Sequence, residues 1–293
     1  MNPSKADSDA NTLLATNQGT AVKSHSAVST TSVQQWSDQR LVTGTDQLIE
    51  EVAVALVYNG ISHVVMMVTP HELEAFALGF SLSEGILDLP EQLYGLDIHH
   101  QTQGIEIAMQ ISAECFARLK QKRRNMTGRT GCGLCGSESL EQVIRQPEPL
   151  KTSPVYRHKA IEVAVRQLEP RQPLQQQTGA SHGAALCNNS GDIQMLCEDV
   201  GRHNALDKLY GQACGHVELH DASKRADCFV VTSSRASYEL VLKSAAMGVG
   251  MLVAISAPTG LAVRIAEQAN IILIGFARDG RHVVYTHADR VNS

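Results

Sequence analysis

Between residues 178 and 276, short apolar runs alternate with longer segments of helical periodicity, and this alternation limits the fold more than any other feature of the chain. The short runs are apolar on both faces, which is typical of strands in a sheet that is covered on both sides. Strands and helices in alternation predict a layered α/β domain. The predicted elements are strands 184–188 and 193–197, helix 201–211, strand 228–232, helix 236–248, strand 251–256, helix 259–269 and strand 271–276.

The preceding part of the chain predicts a smaller α+β unit. An Asn59-Gly60 pair between two apolar runs indicates a tight hairpin. Prolines near residues 147–154 and 170–173 mark breaks in regular structure. The other predicted elements are helix 71–85, strands 96–98 and 105–111, a helix from Ser112 toward Lys120, and short helices at 138–144 and 161–168.

Composition limits the class of protein. Hydrophobic residues make up 43% of the 293, which is enough for a sizeable core. Lys and Arg number 25 against 30 Asp and Glu, and this net charge of −5 argues against a general nucleic-acid binder. Seven cysteines without dense, even spacing favour a reducing cytoplasm. No apolar run approaches the length of a membrane helix, and the N-terminus lacks a signal-peptide pattern.

These patterns divide the chain into three predicted parts. Residues 1–37 are rich in Ser, Thr, Asn and Gln, and we expect them to form a disordered tail. Residues 40–145 form the N-terminal α+β domain, which ends in a loop with two cysteines. Residues 156–293 form the C-terminal α/β domain.

That loop holds Cys132 and Cys135 among four glycines, directly after a run of Lys and Arg residues. Glycine lets the backbone approach a partner closely, and nearby cations favour the thiolate over the thiol. One unit of pKa depression, worth about 1.4 kcal/mol, raises the thiolate fraction at pH 7.5 from about a tenth to about half. The pattern therefore predicts reactive-thiol chemistry.

Four interpretations of this loop compete. A structural zinc site would need a second close pair of ligands, and the other five cysteines form no such pair. A thioredoxin-like dithiol would sit between a strand and a helix rather than after a basic, glycine-rich segment. The G-x-G-x-x-G spacing of residues 131–136 lacks a preceding strand. A thiol that carries sulfur needs only an activated cysteine, a neighbouring thiol and freedom to move.

Polar groups follow the predicted strands of the C-terminal part. His182 precedes the first strand, and the segment 198–209 is dense in charged and hydrogen-bonding residues, with Asp199 at a predicted helix N-cap and His203 and Asp207 on one helix face. Hydroxyls and arginines also follow later strands, in segments 232–237, 256–259 and 275–281. Open α/β sheets bind ligands at the carboxyl ends of their strands, so these groups predict an anion site.

Several of these segments resemble one known family, the formate dehydrogenase accessory sulfurtransferases. The resemblance spans residues 48–287. Its motifs are 126–129 with the two-cysteine segment 131–136, then 198–211, Arg235-Ala236-Ser237 with Glu239 and Lys243, 257–259 and 275–278.

The resemblance implies a homodimer with a cytidine-deaminase-like C-terminal domain. It implies that the chain carries sulfur from a cysteine desulfurase to the molybdenum cofactor of formate dehydrogenase, bis-molybdopterin guanine dinucleotide, with Cys132 as the persulfide-bearing residue and Cys135 assisting. The cofactor would contact Phe276, Ala277, Arg278, Asp279, Gly280 and Arg281, with His182, Arg202, His203, Asp207 and Arg235 around the pocket. The zinc signature of the deaminases is absent, because His182 is followed by Gly183 and Ala184.

Two other functions remain open on the sequence. The chain could bind and insert the cofactor without sulfur chemistry, in which case both thiols would be dispensable. It could instead be a dithiol oxidoreductase that cycles Cys132 and Cys135 through a disulfide and binds no nucleotide. Four further cysteines lie in apolar or helical segments, where we expect inert core residues: Cys187, Cys197, Cys214 and Cys228.

Overall fold

The computed structural model describes residues 25–127, 147–151 and 154–293, with the backbone alone for 122–127 and Ala222. The elements of the N-terminal half are β1 (Val28–Ser37), β2 (Arg40–Ile49), β3 (Val52–Tyr58), β4 (Ile61–Val68), α1 (Leu73–Ser83), β5 (Leu93–Gln101), β6 (Gly104–Ile111) and α2 (Ala113–Thr127). Those of the C-terminal half are β7 (Tyr156–Arg157), α3 (His158–Leu168), α4 (Pro173–Thr178), β8 (His182–Cys187), β9 (Ile193–Asp199), α5 (Arg202–Gly215), α6 (Ala222–Arg225), β10 (Phe229–Thr232), α7 (Tyr238–Met247), β11 (Met251–Ala254), α8 (Gly260–Gln268), β12 (Ile272–Arg278), β13 (Arg281–Val284) and β14 (Val291–Asn292).

Two sheets organise these elements. The C-terminal half forms a six-stranded sheet in the order β13-β12-β11-β10-β8-β9, in which β10, β11 and β12 are parallel. Alternate residues of its central strands enter two separate apolar cores, with Val230 and Leu252 in one and Val231 and Val253 in the other. Both faces of this sheet are therefore covered, as the apolar runs predict. The N-terminal half forms a four-stranded sheet in the order β4-β3-β6-β5.

The predicted elements that fall on described residues are confirmed in type, with ends that shift by a few residues. Asn59 and Gly60 form the turn between β3 and β4, with φ of 45° and 79°, as expected for this hairpin. The predicted helix 138–144 lies outside the described residues. The fold is mixed α/β with several sheets and helices, and the cytidine-deaminase-like layering stays a prediction.

The expectation of a disordered tail over residues 1–37 needs correction at its C-terminal end. Val28–Ser37 forms strand β1, which pairs along its whole length with β2, while residues 1–24 lie outside the described part of the chain. Asp38 and Gln39 make the turn with φ of 49° and 59°. The two strands form an arm whose residues are mostly exposed, so their sequence shows no buried alternating face that would predict a strand.

Helices α1 and α5 join the two sheets through a close crossing. Gly79 of α1 lies against the backbone of Asp207, where an added Cβ atom would stand 1.8 Å from the carbonyl oxygen. Gly211 of α5 likewise faces the carbonyl oxygen of Ala75, at 1.9 Å from a hypothetical Cβ. The two backbones approach so closely only because both positions lack a side chain. One apolar core consequently runs from the four-stranded sheet through both helices to the six-stranded sheet.

We expect Gly211→Ala to lower the free energy of unfolding by about 1–3 kcal/mol, because the new methyl group would overlap backbone atoms that cannot rotate away. Gly215→Ala in the same helix is the matched control, since nothing lies within 4 Å of its Cβ position. Urea unfolding of both variants measures the difference. A Gly211→Ala protein as stable as Gly215→Ala would contradict the close crossing.

Candidate functional site

The topology of the six-stranded sheet collects the predicted site residues at one edge. Strands β10, β11 and β12 are parallel and end there, β8 begins there with His182, and β9 ends there with Asp199. His182 and Asp199 are cross-strand neighbours. The loop after β10 is fixed to β8 by a bond from the Gly183 amide to the Ser233 hydroxyl at 2.9 Å. The polar groups that follow separate strands in the sequence thus lie together.

A cavity of about 740 Å³, which we call the edge cavity, opens at this edge. Helix α4 closes one side of it and is held in place by Glu198, whose carboxylate accepts bonds from the Leu174 and Gln175 amides at 2.9 and 2.8 Å. The polar residues lining the cavity are Arg166, Glu169, Gln172, Gln175, Ser181, His182, Ser233, Arg278 and Asp279. Of the predicted cofactor-binding residues, it therefore brings together His182, Arg278 and Asp279.

His182 is a half-buried residue in the lining of this cavity. Burial lowers the pKa of its imidazole, and the neighbouring Arg202 guanidinium lowers it further. The imidazole is therefore neutral at pH 7 and offers one donor and one acceptor nitrogen to a ligand.

Gln172 is a lining residue that the sequence does not single out. Its side chain is 2% exposed and packs over Gly183. Its Nε2 atom is buried without a hydrogen-bond partner among the described residues. An unpaired buried amide donor costs about 1–3 kcal/mol, so a ligand with an acceptor atom at this point would gain that energy back. No local pattern around Gln172 could have marked it, because its position depends on the fold.

The segment from Phe276 to Arg281 contains both exposed and buried residues. Phe276 lies at an irregularity in the β12–β13 pairing, with φ of 51° and an exposed ring. A bulky residue in the left-handed region is strained, which is typical of ligand sites. Ala277 is fully buried, so its side chain lies in the core and away from any ligand. Gly280 makes the turn into β13, which begins at the exposed Arg281.

Two of the three charged side chains of this segment, Arg278 and Asp279, already have partners. The Asp279 carboxylate pairs with Arg166 at 3.0 Å. The Arg278 guanidinium donates to the carbonyl oxygens of Ala277 and Ile255. These contacts hold both side chains at the cavity wall.

The remaining predicted residues lie elsewhere around the edge. Arg235 is exposed in the loop after β10. Arg202 begins α5, and its Nε atom is buried without a partner among the described residues. His203 does not line the edge cavity. Together with Asp207, as their shared helix face predicts, it lines a second cavity of about 260 Å³.

The start of α5 is fixed by a buried ion pair. Lys208 and Asp199 are both fully buried, with Nζ 2.7 Å from Oδ2. Lys208 also donates to the carbonyl oxygens of Thr69 and Glu198, and Asp199 accepts from the amides of Thr69 and Gly201. The N-cap residue of α5 is Gly201 and not Asp199 as expected. Asp199 is the last residue of β9, and its carboxylate accepts a hydrogen bond from the Gly201 amide.

The hydroxyls expected to bind phosphate have structural partners. Ser237 caps α7 by accepting a hydrogen bond from the Leu240 amide, and Thr259 caps α8 by accepting one from the Ala262 amide.

Cys132 and Cys135 lie outside the described residues. The other five cysteines are buried, and burial raises the pKa of Cys187, Cys197, Cys214 and Cys228, so these four are inert thiols as predicted.

The described residues form neither a metal-binding cluster nor a membrane-spanning helix. Over residues 25–121, 147–151 and 154–293, no three His, Cys, Asp or Glu side chains are placed to hold a metal ion. None of the helices in the described part of the chain combines the length and the apolar character that a membrane crossing requires.

This chain is similar to known proteins in both sequence and fold. The model of the FdhD/NarQ family matches residues 49–292. A protein of Cupriavidus necator named sulfur carrier protein FdhD is 53% identical over 263 residues, which cover 90% of each chain. A crystal structure from Desulfotalea psychrophila, described as a formate dehydrogenase accessory protein, has a TM-score of 0.70 at 24% identity, covering 90% of this chain and 99% of that one. At that identity the structural likeness shows the fold alone.

We expect Lys208→Met to lower the free energy of unfolding by about 3–5 kcal/mol, because it leaves the Asp199 carboxylate buried without its cation. Lys224→Met, at an exposed lysine, is the control and should stay within about 0.5 kcal/mol of the native chain. Thermal and urea unfolding measure both. Equal stabilities of the two variants would show that the ion pair contributes little.

Proposed function

This chain belongs to the FdhD/NarQ family, and we propose that it carries sulfur for formate dehydrogenase, as a persulfide on Cys132 that passes to the molybdenum cofactor. The observation that carries the proposal is 53% identity, over nine-tenths of both chains, to a protein named a sulfur carrier. The reactive-thiol pattern of Cys132 and Cys135 supplies the chemistry that such a role needs.

The edge cavity is the proposed binding site for the cofactor, bis-molybdopterin guanine dinucleotide, which is the substrate of the transfer. Its volume of about 740 Å³ is in the range of drug-sized ligand sites, so it would hold one nucleotide part of this larger cofactor. The buried donor of Gln172 fits a ring carbonyl oxygen, a group that both guanine and pterin possess. The exposed ring of Phe276 offers a face for stacking near the end of β12, and the exposed Arg281 offers a cation to phosphate.

The proposed transfer of sulfur uses the two thiols of Cys132 and Cys135. The Cys132 thiolate attacks the terminal sulfur of a donor persulfide, whose S–S bond breaks as a new one forms on Cys132, and the donor leaves as a thiolate that takes up a proton. After the cofactor is bound, Cys135 attacks Cys132, which releases the terminal sulfur as sulfide and leaves a disulfide. An external thiol reductant then restores both cysteines.

The partners follow from this cycle. A cysteine desulfurase is the proposed persulfide donor, formate dehydrogenase is the proposed client, and two copies of the chain form the proposed working unit. The chief alternative is insertion of the cofactor without sulfur chemistry, which the same cavity would serve. The two functions differ in whether Cys132 is required.

We expect Cys132→Ala to abolish sulfur uptake, because the nucleophile is removed while the described core is untouched. The measurement is intact-protein mass spectrometry after incubation with a cysteine desulfurase and cysteine. The native chain should gain one sulfur atom that a reductant removes. Cys214→Ala, which removes a buried thiol, is the control and should still gain it. Uptake by Cys132→Ala, or none by the native chain, would contradict the proposal.

We expect Gln172→Leu to weaken binding of guanosine diphosphate by roughly 5–30-fold. The variant removes the buried amide that is proposed to donate to a carbonyl oxygen of the guanine ring. Calorimetric titration measures the dissociation constant. Gln194→Leu replaces an exposed glutamine of β9 and should leave the constant unchanged. Equal binding by both variants would place the nucleotide elsewhere.

A further inference from the structure

One ion pair in the lining of the edge cavity connects two of its walls. Arg166 of α3 and Asp279 both line the cavity, and their side chains meet with Nη2 3.0 Å from Oδ1. Asp279 belongs to the short turn between β12 and β13. The pair therefore joins the helix wall of the cavity to the strand wall, next to the second arginine of the lining, Arg278.

The backbone that carries Arg166 is fixed by the fold. At the start of α3, His158 Nδ1 lies 2.7 Å from His282 Nε2 of β13. Further along, α3 buries one face in the apolar core that also holds the inner residues of β12. The buried residues of this face are Ala160, Ile161, Ala164 and Leu168. The guanidinium of Arg166 can therefore change partners while the helix stays in place.

The contact between Arg166 and Asp279 is easily exchanged. Both side chains are exposed, to 56% and 68%, and an ion pair in contact with water contributes little to stability. Among the described residues the guanidinium makes a single hydrogen bond, the one to Asp279, so most of its five N–H donors are available to another anion. Gly280, with φ of 74°, follows Asp279 in an exposed turn, which leaves the carboxylate room to turn toward water.

The charges of the lining explain why this exchange matters for a ligand. The charged side chains that line the edge cavity are two arginines, Arg166 and Arg278, and two carboxylates, Glu169 and Asp279. Their formal charges cancel, so a polyanion gains no net attraction while both carboxylates remain. Once Asp279 turns away, the lining has one positive charge in excess, and it then favours phosphate.

The carboxylate and a phosphate compete for the same donors. Both present oxygen atoms that a planar guanidinium can bind through two parallel hydrogen bonds, and a phosphate oxygen forms a strong bond of this kind. Asp279 thus occupies on Arg166 the place that a phosphate group would take. A nucleoside without phosphate has no group that could displace it.

From these observations we propose that Arg166 binds a phosphate group of the nucleotide in the edge cavity, and that Asp279 competes for this arginine until the ligand displaces it. The inference rests on the proposed function, because it concerns the same cavity. No covalent bond changes in the exchange. Although Asp279 lines the site, its carboxylate therefore weakens binding, and the ion pair makes the cavity select phosphorylated ligands over free nucleosides.

The test is calorimetric titration of the full-length chain with guanosine diphosphate and with guanosine, at low ionic strength, where exposed charges act most strongly. We expect Asp279→Asn to tighten binding of the diphosphate by roughly 2–5-fold, because the competitor of Arg166 loses its charge. Arg166→Met should weaken binding of the diphosphate by roughly 10-fold. Both variants should bind guanosine within about twofold of the native chain, since guanosine offers Arg166 no anion.

The double variant separates competition from simple repulsion. With Arg166→Met already present, Asp279→Asn should no longer tighten binding, because the arginine for which the carboxylate competes is gone. An equal gain in both backgrounds would overturn the inference, and so would unchanged or weaker binding of the diphosphate by Asp279→Asn.

Asp88→Asn and Lys159→Met are the controls. Each removes one charge from an exposed ion pair outside the lining of the edge cavity, and each should bind both ligands as the native chain does. Native binding of the diphosphate that none of the Arg166 and Asp279 variants alters would overturn the inference and leave the nucleotide site intact. Failure of the native chain to bind the diphosphate would overturn both.

Discussion

The architecture depends on the buried pair of Lys208 and Asp199. Two charges without access to water are tolerable only when their hydrogen-bonding capacity is used, and here the ammonium has three oxygen partners while the carboxylate accepts amide bonds on both oxygens. Those partners come from the end of β4, the end of β9 and the start of α5. The pair therefore fixes the N-terminal sheet, the C-terminal sheet and the helix between them in one arrangement.

Helix α5 connects this ion pair to both cavities. Its glycine crossing with α1 sets the distance between the two sheets. Its first turns place Arg202 near His182 and place His203 and Asp207 in the lining of the second cavity. A packed interior transmits displacement rather than absorbing it, so a shift of α5 would alter both sites together. The many polar residues in segment 198–209 thus have two roles: some stabilise the start of α5, and others line the cavities.

Local patterns predicted the elements well and the sites in part. The two-sided apolar strands and the Asn59-Gly60 turn are local signals, and the structure has both. The arm of β1 and β2 has no such signal, because few of its residues are buried. His182 and Arg278 follow from strand ends, which meet at one edge in any sheet of this kind. Gln172 could not be predicted, since the burial of its amide depends on how its side chain packs over Gly183.

A carrier that handles a thiol and also binds a polyanionic ligand faces an electrostatic conflict. Cations that hold phosphate would also stabilise a thiolate and lower its nucleophilicity, because nucleophilicity falls with pKa. The described residues form two cavities with different charge. The edge cavity offers two arginines and the Gln172 amide, which has no partner among the described residues, whereas the lining of the second cavity holds three carboxylates and one ammonium. Within the described residues, the cations proposed for the cofactor and these acidic groups thus line different cavities.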